Sequence, residues 1–506
     1  MYSQEISKKF QRRKDLTVEI RIRIAYIVLY AFHWGDITRL SHKYNVSRQF
    51  IYELCEDFSK FNQFYFGDKQ NTDNQNDKIC SLKFILANRM EGRCSIPSIS
   101  LLGQRFGLQH YSVGYISETL SDAGHKIGNN LNTSNLDCFT FQICDDEIFA
   151  AQKPILLTVD PISMLILNIE LAENRKHDTW INHWQHIIKQ GITFEKIIKD
   201  EGTGMNLAIK KMDEMSNVEV QSDTFHGVSH KLGLWVTRLE TSAYKAIENE
   251  YDREELFYHS KTEATQNKRE AEYNEAFLKT LKKIELYENF KFLYHCLLEC
   301  LQVFDNKGKL KDYQKVIADF DQALEYIKTL KNNSISKEIE SIEKCKKDLF
   351  CFLKSAKSIV YKLSQTIDNK PLKLLCLAWQ YHKNMIKAKN AKRKNKLKKM
   401  EEKILQHAKE LINKDFDAIK EDTYDNLNHI IQSSAAVENI NSLLRPYLNS
   451  CKNQVTQEFL NLFMFYHNHH RFTSGERKGK TPMEIATGIP QQKDWLDLLI
   501  EKISVN

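Results

Sequence analysis

Apolar residues return every third or fourth position through 18–33, and the stretch after it, GDITRLSHKYNVSRQFIYELCEDF, keeps that period on both sides of a break at Lys43-Tyr44-Asn45-Val46. The spacing predicts one helix and then two shorter ones around a turn, with Ser47 capping the second of these. A related arrangement fills 98–124, where Gly107 marks the turn and Ser112 caps the next helix. Both stretches read as helix-turn-helix units, over 1–66 and 77–130. In the first, Arg48, Gln49 and Tyr52 would be offered to a DNA major groove, with an ordinary helical hairpin as the alternative. The polar stretch Gly67 to Asp77 reads as the linker between the units, and Gly128 to Asp137 as the next boundary.

From Phe139 the pattern changes. FTFQICDD, KPILLTVD and MLILNIEL are short runs rich in β-formers and predict a three-stranded antiparallel meander. A helix over Thr179–Gln190 follows, then the strand FEKIIK running into Asp200, a helix after Gly202-Thr203-Gly204, and the strand VEVQ ending near Asp223. Strand-strand-strand-helix-strand-helix-strand is the order of a ribonuclease-H-like core. Between 235 and 430 the chain is helix-compatible, rich in Lys, Glu and Leu, and broken near Asp305–Gly308, Asn332–Ser336 and Asp368–Pro371. From Ser433 an amphipathic helix runs to about Leu448, a second covers 453–467, and a basic loop leads to GKTPMEIATG. The expected fold is mainly α with an α/β ribonuclease-H-like core in two parts, 138–234 and 431–490. A large all-helical insertion, 235–430, separates them, and 491–506 reads as a C-terminal tail.

Composition agrees with that reading. Among 506 residues, 17 glycines and 7 prolines are few and 27% of positions are charged, which favours helix over sheet; a chain of this length should hold about three to five compact units. The apolar run Ile24–Phe32 is far short of the roughly 20 residues that span a bilayer, and no cleavable leader precedes it, so a soluble cytoplasmic protein without a membrane partner is expected. Eleven cysteines without a CxxC pair, Cys296 and Cys300 among them, read as reduced thiols on helix faces. A net charge of +7 is modest, but residues 383–399 carry nine Lys/Arg and no acid. With Lys8–Lys14 and Arg471–Lys480, that run supplies places to neutralise phosphate: Lys392, Arg393, Lys394, Lys396, Arg471, Arg477, Lys478 and Lys480. A solvated helix face is the plainer reading of any one cluster.

Phosphoryl transfer by two metal ions needs several carboxylates converging around them. On the first strand, alternation puts Asp146 on the side of Thr140, Gln142 and Cys144, and Asp145 on the side of Phe141 and Ile143, which favours Asp146. Asp200 ends a buried strand before a glycine-rich turn, with Glu201 as the neighbouring alternative. On the Ser433–Leu448 helix, Val437, Ile440, Leu444 and Tyr447 form the apolar stripe, while Ser434, Glu438, Asn441 and Arg445 form a polar one. Asp223 and His226 are candidates to support such a site from behind, alongside Asn441 and Arg445. Trp379 is a candidate to stack on an unpaired base, or else a packing residue.

DEIF at 146–149 followed by PILLTVDPIS, KDEGTGM at 199–205, QSDTFH at 221–226, SSAAVENINSLLRPYL at 433–448, YHNHHRF at 466–472 and GKTPMEIATG at 479–488 resemble, in this order, the core motifs of DDE transposases of bacterial insertion sequences. The resemblance covers about 139–232 and 433–488. It implies that Asp146, Asp200 and Glu438 form a catalytic triad binding two ions, Mg²⁺ or Mn²⁺. It also implies double-stranded DNA as partner, both element ends and target, with a homo-oligomer assembled on it at the nucleoid. The long interval between Asp200 and Glu438 departs from the compact members, although a helical insertion here is a variant of the family. Two other classes compete: a catalytically silent, domesticated DNA-binding regulator, and a helical scaffold suggested by 240–430.

Overall fold

The computed structural model describes residues 13, 15–66, 74–128, 136, 138–412 and 415–505. The chain divides into two compact units, Met1–Thr119 and Leu120–Asn506. The basic stretch Lys8–Lys14, apart from Arg13, and most of the two anticipated linkers lie outside the described residues.

In the first unit, α1 (Val18–Tyr30), α2 (Asp36–Tyr44) and α3 (Arg48–Phe66) close around Ile24, Ala25, Leu40, Ile51 and Cys55. Asn45 takes a left-handed conformation (φ 48°) at the end of α2, and Ser47 Oγ accepts the Phe50 N–H at 3.0 Å, the cap expected there. Arg48, Gln49 and Tyr52 stand on the exposed side of α3. α4 (Asn74–Met90), which begins inside the stretch read as a linker, leads to α5 (Ile96–Arg105) and α6 (Val113–Ile127). Gly107 supplies the positive φ of 70° between α5 and α6, and Ser112 Oγ accepts the Tyr115 N–H at 3.2 Å. The division between units falls inside α6.

The second unit is built on a mixed sheet of β1 (Thr140–Ala150), β2 (Lys153–Val159), β3 (Ile166–Leu171), β4 (Thr193–Lys199) and β5 (Glu219–Ser222), ordered β3-β2-β1-β4-β5. The first three form the antiparallel meander; β4 and β5 add in parallel. β2 and β3 are buried along most of their length because helices cover both faces. On one side lies α7 (His177–Ile188), which buries Trp180 and Trp184, followed after β4 by α8 (Thr203–Lys211).

A π-turn at Phe225–His230 leads into the insertion: α9 (Lys231–Tyr258), α10 (Glu263–Cys300), α11 (Tyr313–Thr329), α12 (Asn333–Leu349), α13 (Phe352–Leu363), α14 (Asn369–Lys387), α15 (Ala391–Leu411) and α16 (Phe416–Asn428). Its own apolar core starts at Val228 and includes Phe290, Phe320, Ile339, Phe352 and Leu427, so it begins earlier than residue 235. Asn332 caps α12 where a break was expected, and Asp305–Gly308 is a tight turn joined by one bridge, Phe304 to Leu310. Trp379 belongs to this core. It is 3% exposed, donates its indole N–H to Asn428 Oδ1 (2.9 Å) and sits edge-on to Phe304, which closes it to a base.

α17 (Ala435–Ser450) and α18 (Gln457–His469) return to the other face of the sheet. Asn468 exchanges two 2.9 Å hydrogen bonds with the backbone of Ile166, and Gln457 bonds Leu171 N–H and Ile169 C=O. These amides satisfy the outer edge of β3, which an uncovered strand would leave open to another chain. α19 (Pro482–Thr487) follows with a capping box of Thr481 and Glu484. The segment read as a tail is instead α20 (Trp495–Val505): Trp495 is fully buried against Tyr466, and Leu499 and Ile503 follow it at helical spacing. No helix of the described residues is long and apolar enough to cross a membrane, and none of the eleven cysteines is in a disulfide.

Candidate active site

Two parallel neighbours bring the first two carboxylates together. β1 and β4 pair with Cys144 opposite Ile198, so two residues further along each chain Asp146 and Asp200 come side by side, where β4 ends and β1 continues beside β2. Asp200 Oδ1 accepts the Gly202 N–H at 2.8 Å, turning the chain into α8, and a Cβ on Gly202 would stand 3.0 Å from that oxygen. Asp146 Oδ1 is fixed by the Glu147 N–H (2.8 Å).

α17 packs on β1 and β2, and its polar stripe meets a different partner at each of its first turns, Asn441 being the residue that reaches Asp146. Ser434, at the helix start, gives its N–H (2.9 Å) and its hydroxyl to Asp223 Oδ2. Glu438 Oε1 lies 3.6 Å from His226 Nε2. Asn441 Nδ2 reaches Asp146 Oδ2 at 3.4 Å, while its Oδ1 is buried without a hydrogen-bond partner. Arg445 points to solvent. Asp223 is 1% exposed and also accepts the Phe225 and His226 N–H groups, so the same carboxylate holds the π-turn that carries His226. Thr224 and Gln221 bond the carbonyls of Gln432 and Ile431. The two ends of the insertion are thereby stitched together beside the carboxylates.

The two neighbouring acids take other directions. Asp145 is fully buried on the α7 face, accepting from the Thr158 hydroxyl and from the Trp184 indole at 3.2 Å. Thr158 continues to His183 Nε2 (3.0 Å), whose Nδ1 faces Glu170 at 3.0 Å. Burial pushes the Asp145 carboxyl up to about 7 against those two hydrogen bonds, and burial likewise holds His183 below its usual value. This is a polar chain within the core, in which Asp145 Oδ2 is buried without a hydrogen-bond partner. Glu201 accepts the Ser222 hydroxyl at 2.6 Å and is turned to β5.

Asp146 is pushed up to about 7, first by burial and then by the charges of Asp200, Glu147 and Glu438, with the Glu147 N–H opposing. Its neighbouring acids and its burial both disfavour the charged form, a disadvantage that a cation among oxygen ligands would relieve. The donor set and the orphaned Asn441 oxygen fit such a cation. As they stand, the described residues contain no group of three His, Cys, Asp or Glu side chains converging closely enough to hold a metal; Glu438 faces His226.

The proposed phosphate contacts fall into two groups. Lys392, Arg393, Lys394 and Lys396 are exposed on the first turns of α15, beyond the break at Ala388–Asn390 that splits the basic run between two helices. The run begins near the site, where Lys387 lies close enough to Asp223 for their charges to interact. Lys478 and Lys480 are also exposed, but Arg471 holds Glu484 and the Gly479 and Gln491 carbonyls, and Arg477 holds the Ile162 carbonyl at 2.8 Å. Both arginines therefore brace the loop that follows α18. The sequence reading missed Arg175, whose Nη1 meets Glu147 Oε1 at 2.5 Å on the rim of the carboxylates. It also missed the latch of His382 between Glu401 (3.0 Å) and Glu476 (3.1 Å), which joins the insertion to that loop. The two glutamate hydrogen bonds hold His382 up to about 9.

The chain matches no protein-family model and no curated protein.

Proposed function

We propose that the protein is a DDE-type DNA transposase that cleaves and joins DNA at the ends of an insertion sequence, on a ribonuclease-H-like core. The observation that carries this reading is the placing of Asp146, Asp200 and the Glu438 helix together where β4 ends beside the middle of β1, delivered by segments far apart in the chain. Asp146, Asp200 and Glu438 would hold Mg²⁺ or Mn²⁺. When bound, the ions supply charge neutralisation and activation of a water or a DNA 3′-hydroxyl. The chain's own residues do the positioning: Asn441 orients Asp146, His226 sets the direction of Glu438, and Asp223 fixes the start of the helix that carries Glu438. The helices around the Asn45 and Gly107 turns serve as helix-turn-helix units, with Arg48, Gln49 and Tyr52 reading bases at the element ends, and the protein assembles as a homo-oligomer on double-stranded DNA.

The deciding experiment incubates purified protein with a labelled duplex carrying the inverted repeat that flanks its coding sequence, in Mg²⁺ and in Mn²⁺. Cleavage at the repeat boundary, followed by joining of the 3′ end to a plasmid, is expected. Tight binding without cleavage in either metal would replace this reading with that of a catalytically silent DNA-binding regulator.

The basic turns of α15 have a separate expected result. Replacing Lys392, Arg393, Lys394 and Lys396 by Gln should weaken binding about equally on cognate and random duplexes and lower the slope of log affinity against log salt by about one per lost phosphate contact. A salt titration in a filter-binding assay reads both. An unchanged slope returns these residues to a solvated helix face.

A further inference from the structure

The rim of the carboxylate cluster carries an arginine that the reading above leaves without a task. Arg175 lies in the loop after β3, and three contacts from the two aspartate-bearing segments fix it. Its guanidinium donates to Glu147, the residue beside Asp146, at 2.5 Å, and lies 5.7 Å from the centre of the Phe149 ring on the same strand. Its backbone is wedged against the first turn of α8, just beyond Asp200: a Cβ on Gly204 would stand 2.2 Å from the Arg175 carbonyl oxygen. The guanidinium is also close enough to Asp200 for their charges to interact. Yet the side chain is 63% exposed, whereas the Glu147 side chain that anchors it is only 9% exposed.

An ion pair with one partner in solvent stabilises a fold only modestly, which explains little of this restraint. What the contacts do is hold a planar, permanently charged fork over the edge of an acidic site, with the face away from Glu147 toward solvent. A phosphodiester is repelled by clustered carboxylates, and a guanidinium can meet two of its oxygens at once. We infer that Arg175 grips a non-bridging phosphate oxygen of the DNA strand at the carboxylates, placing that phosphate between β1 and the start of α8. The inference rests on the proposed DNA substrate and adds a contact to it.

Three full-length variants test it: Arg175→Gln, Arg175→Lys and Glu147→Gln, each with the repeat-bearing duplex in EDTA and then in Mg²⁺. In EDTA, Arg175→Gln should lower the salt slope by about one, and Arg175→Lys should restore it. In Mg²⁺, Arg175→Gln should cut cleavage by roughly 10²-fold, as loss of one preorganised donor does elsewhere, with Lys recovering only part because it lacks the fork. Glu147→Gln, which loosens the fork but leaves its charge in place, should keep the EDTA slope near wild type and lower cleavage by less than Arg175→Gln does. A wild-type slope for Arg175→Gln overturns the inference, and so does an Arg175→Lys variant that shares the lowered slope of Arg175→Gln, since the positive charge would then not be what meets the phosphate. If the wild-type protein binds but never cleaves, the transposase reading fails while the EDTA slope still decides on Arg175.

Discussion

Asp146→Asn, Asp200→Asn and Glu438→Gln should each reduce strand cleavage by roughly 10³-fold or more, because each removes several kcal/mol of the charge stabilisation that metal-assisted phosphoryl transfer requires. Binding of the same duplex in a gel shift should stay near wild type, since the exposed basic residues and α3 are untouched. Glu201→Gln is the matched control: its carboxylate is turned to Ser222, and it should cleave normally. A triad variant that cleaves like wild type removes its residue from the site.

Asp223→Ala should have the second-largest effect, and on stability as well as activity. That carboxylate accepts from the Phe225, His226 and Ser434 N–H groups and the Ser434 hydroxyl, in a position that is 1% exposed. Truncation leaves those donors without an acceptor, at a cost of about 3 kcal/mol or more. Both the π-turn bearing His226 and the start of α17 bearing Glu438 should loosen. Thermal melting should drop, limited proteolysis should open sites near 431–434, and cleavage should fall even where the insertion stays folded on its own core. Asp223→Asn, which keeps an acceptor oxygen, should lose less. A melt and a digestion pattern like wild type would show that the staple carries no weight.

Much of this arrangement was readable from local pattern. Caps such as Ser47 and Ser112 depend on a few neighbouring residues, strand alternation separates Asp146 from the buried Asp145, and the stripe of Ser434, Glu438, Asn441 and Arg445 follows from helical spacing alone. What escaped is set by contacts between distant segments. Nothing near Arg471 or Arg477 in sequence says that their guanidinium groups are engaged by Glu484 and by the turn at Pro161-Ile162, nor does the local pattern around Arg175 announce Glu147. The helix over 495–505 is a different case. Trp495, Leu499 and Ile503 show its period in the sequence, but what they pack against is set by Tyr466, far from the segment taken for a tail.

The stitching of residues 221–224 to 431–434 also sets an order of events during synthesis. At the about 5–20 residues per second of a ribosome, the roughly 200 residues of the insertion take on the order of 10–40 s to emerge after β5 has been made. Throughout that interval the sheet lacks α17 and α18, and the outer edge of β3 is without the amides that later cover it. The insertion has its own core and can close once its last helix has emerged, bringing its two ends together before α17 and α18 have docked on the sheet. The carboxylates then come together only once α17 has emerged, so a chain that stalls inside the insertion lacks Glu438, and the exposed sheet edge is the part of the nascent chain most in need of protection.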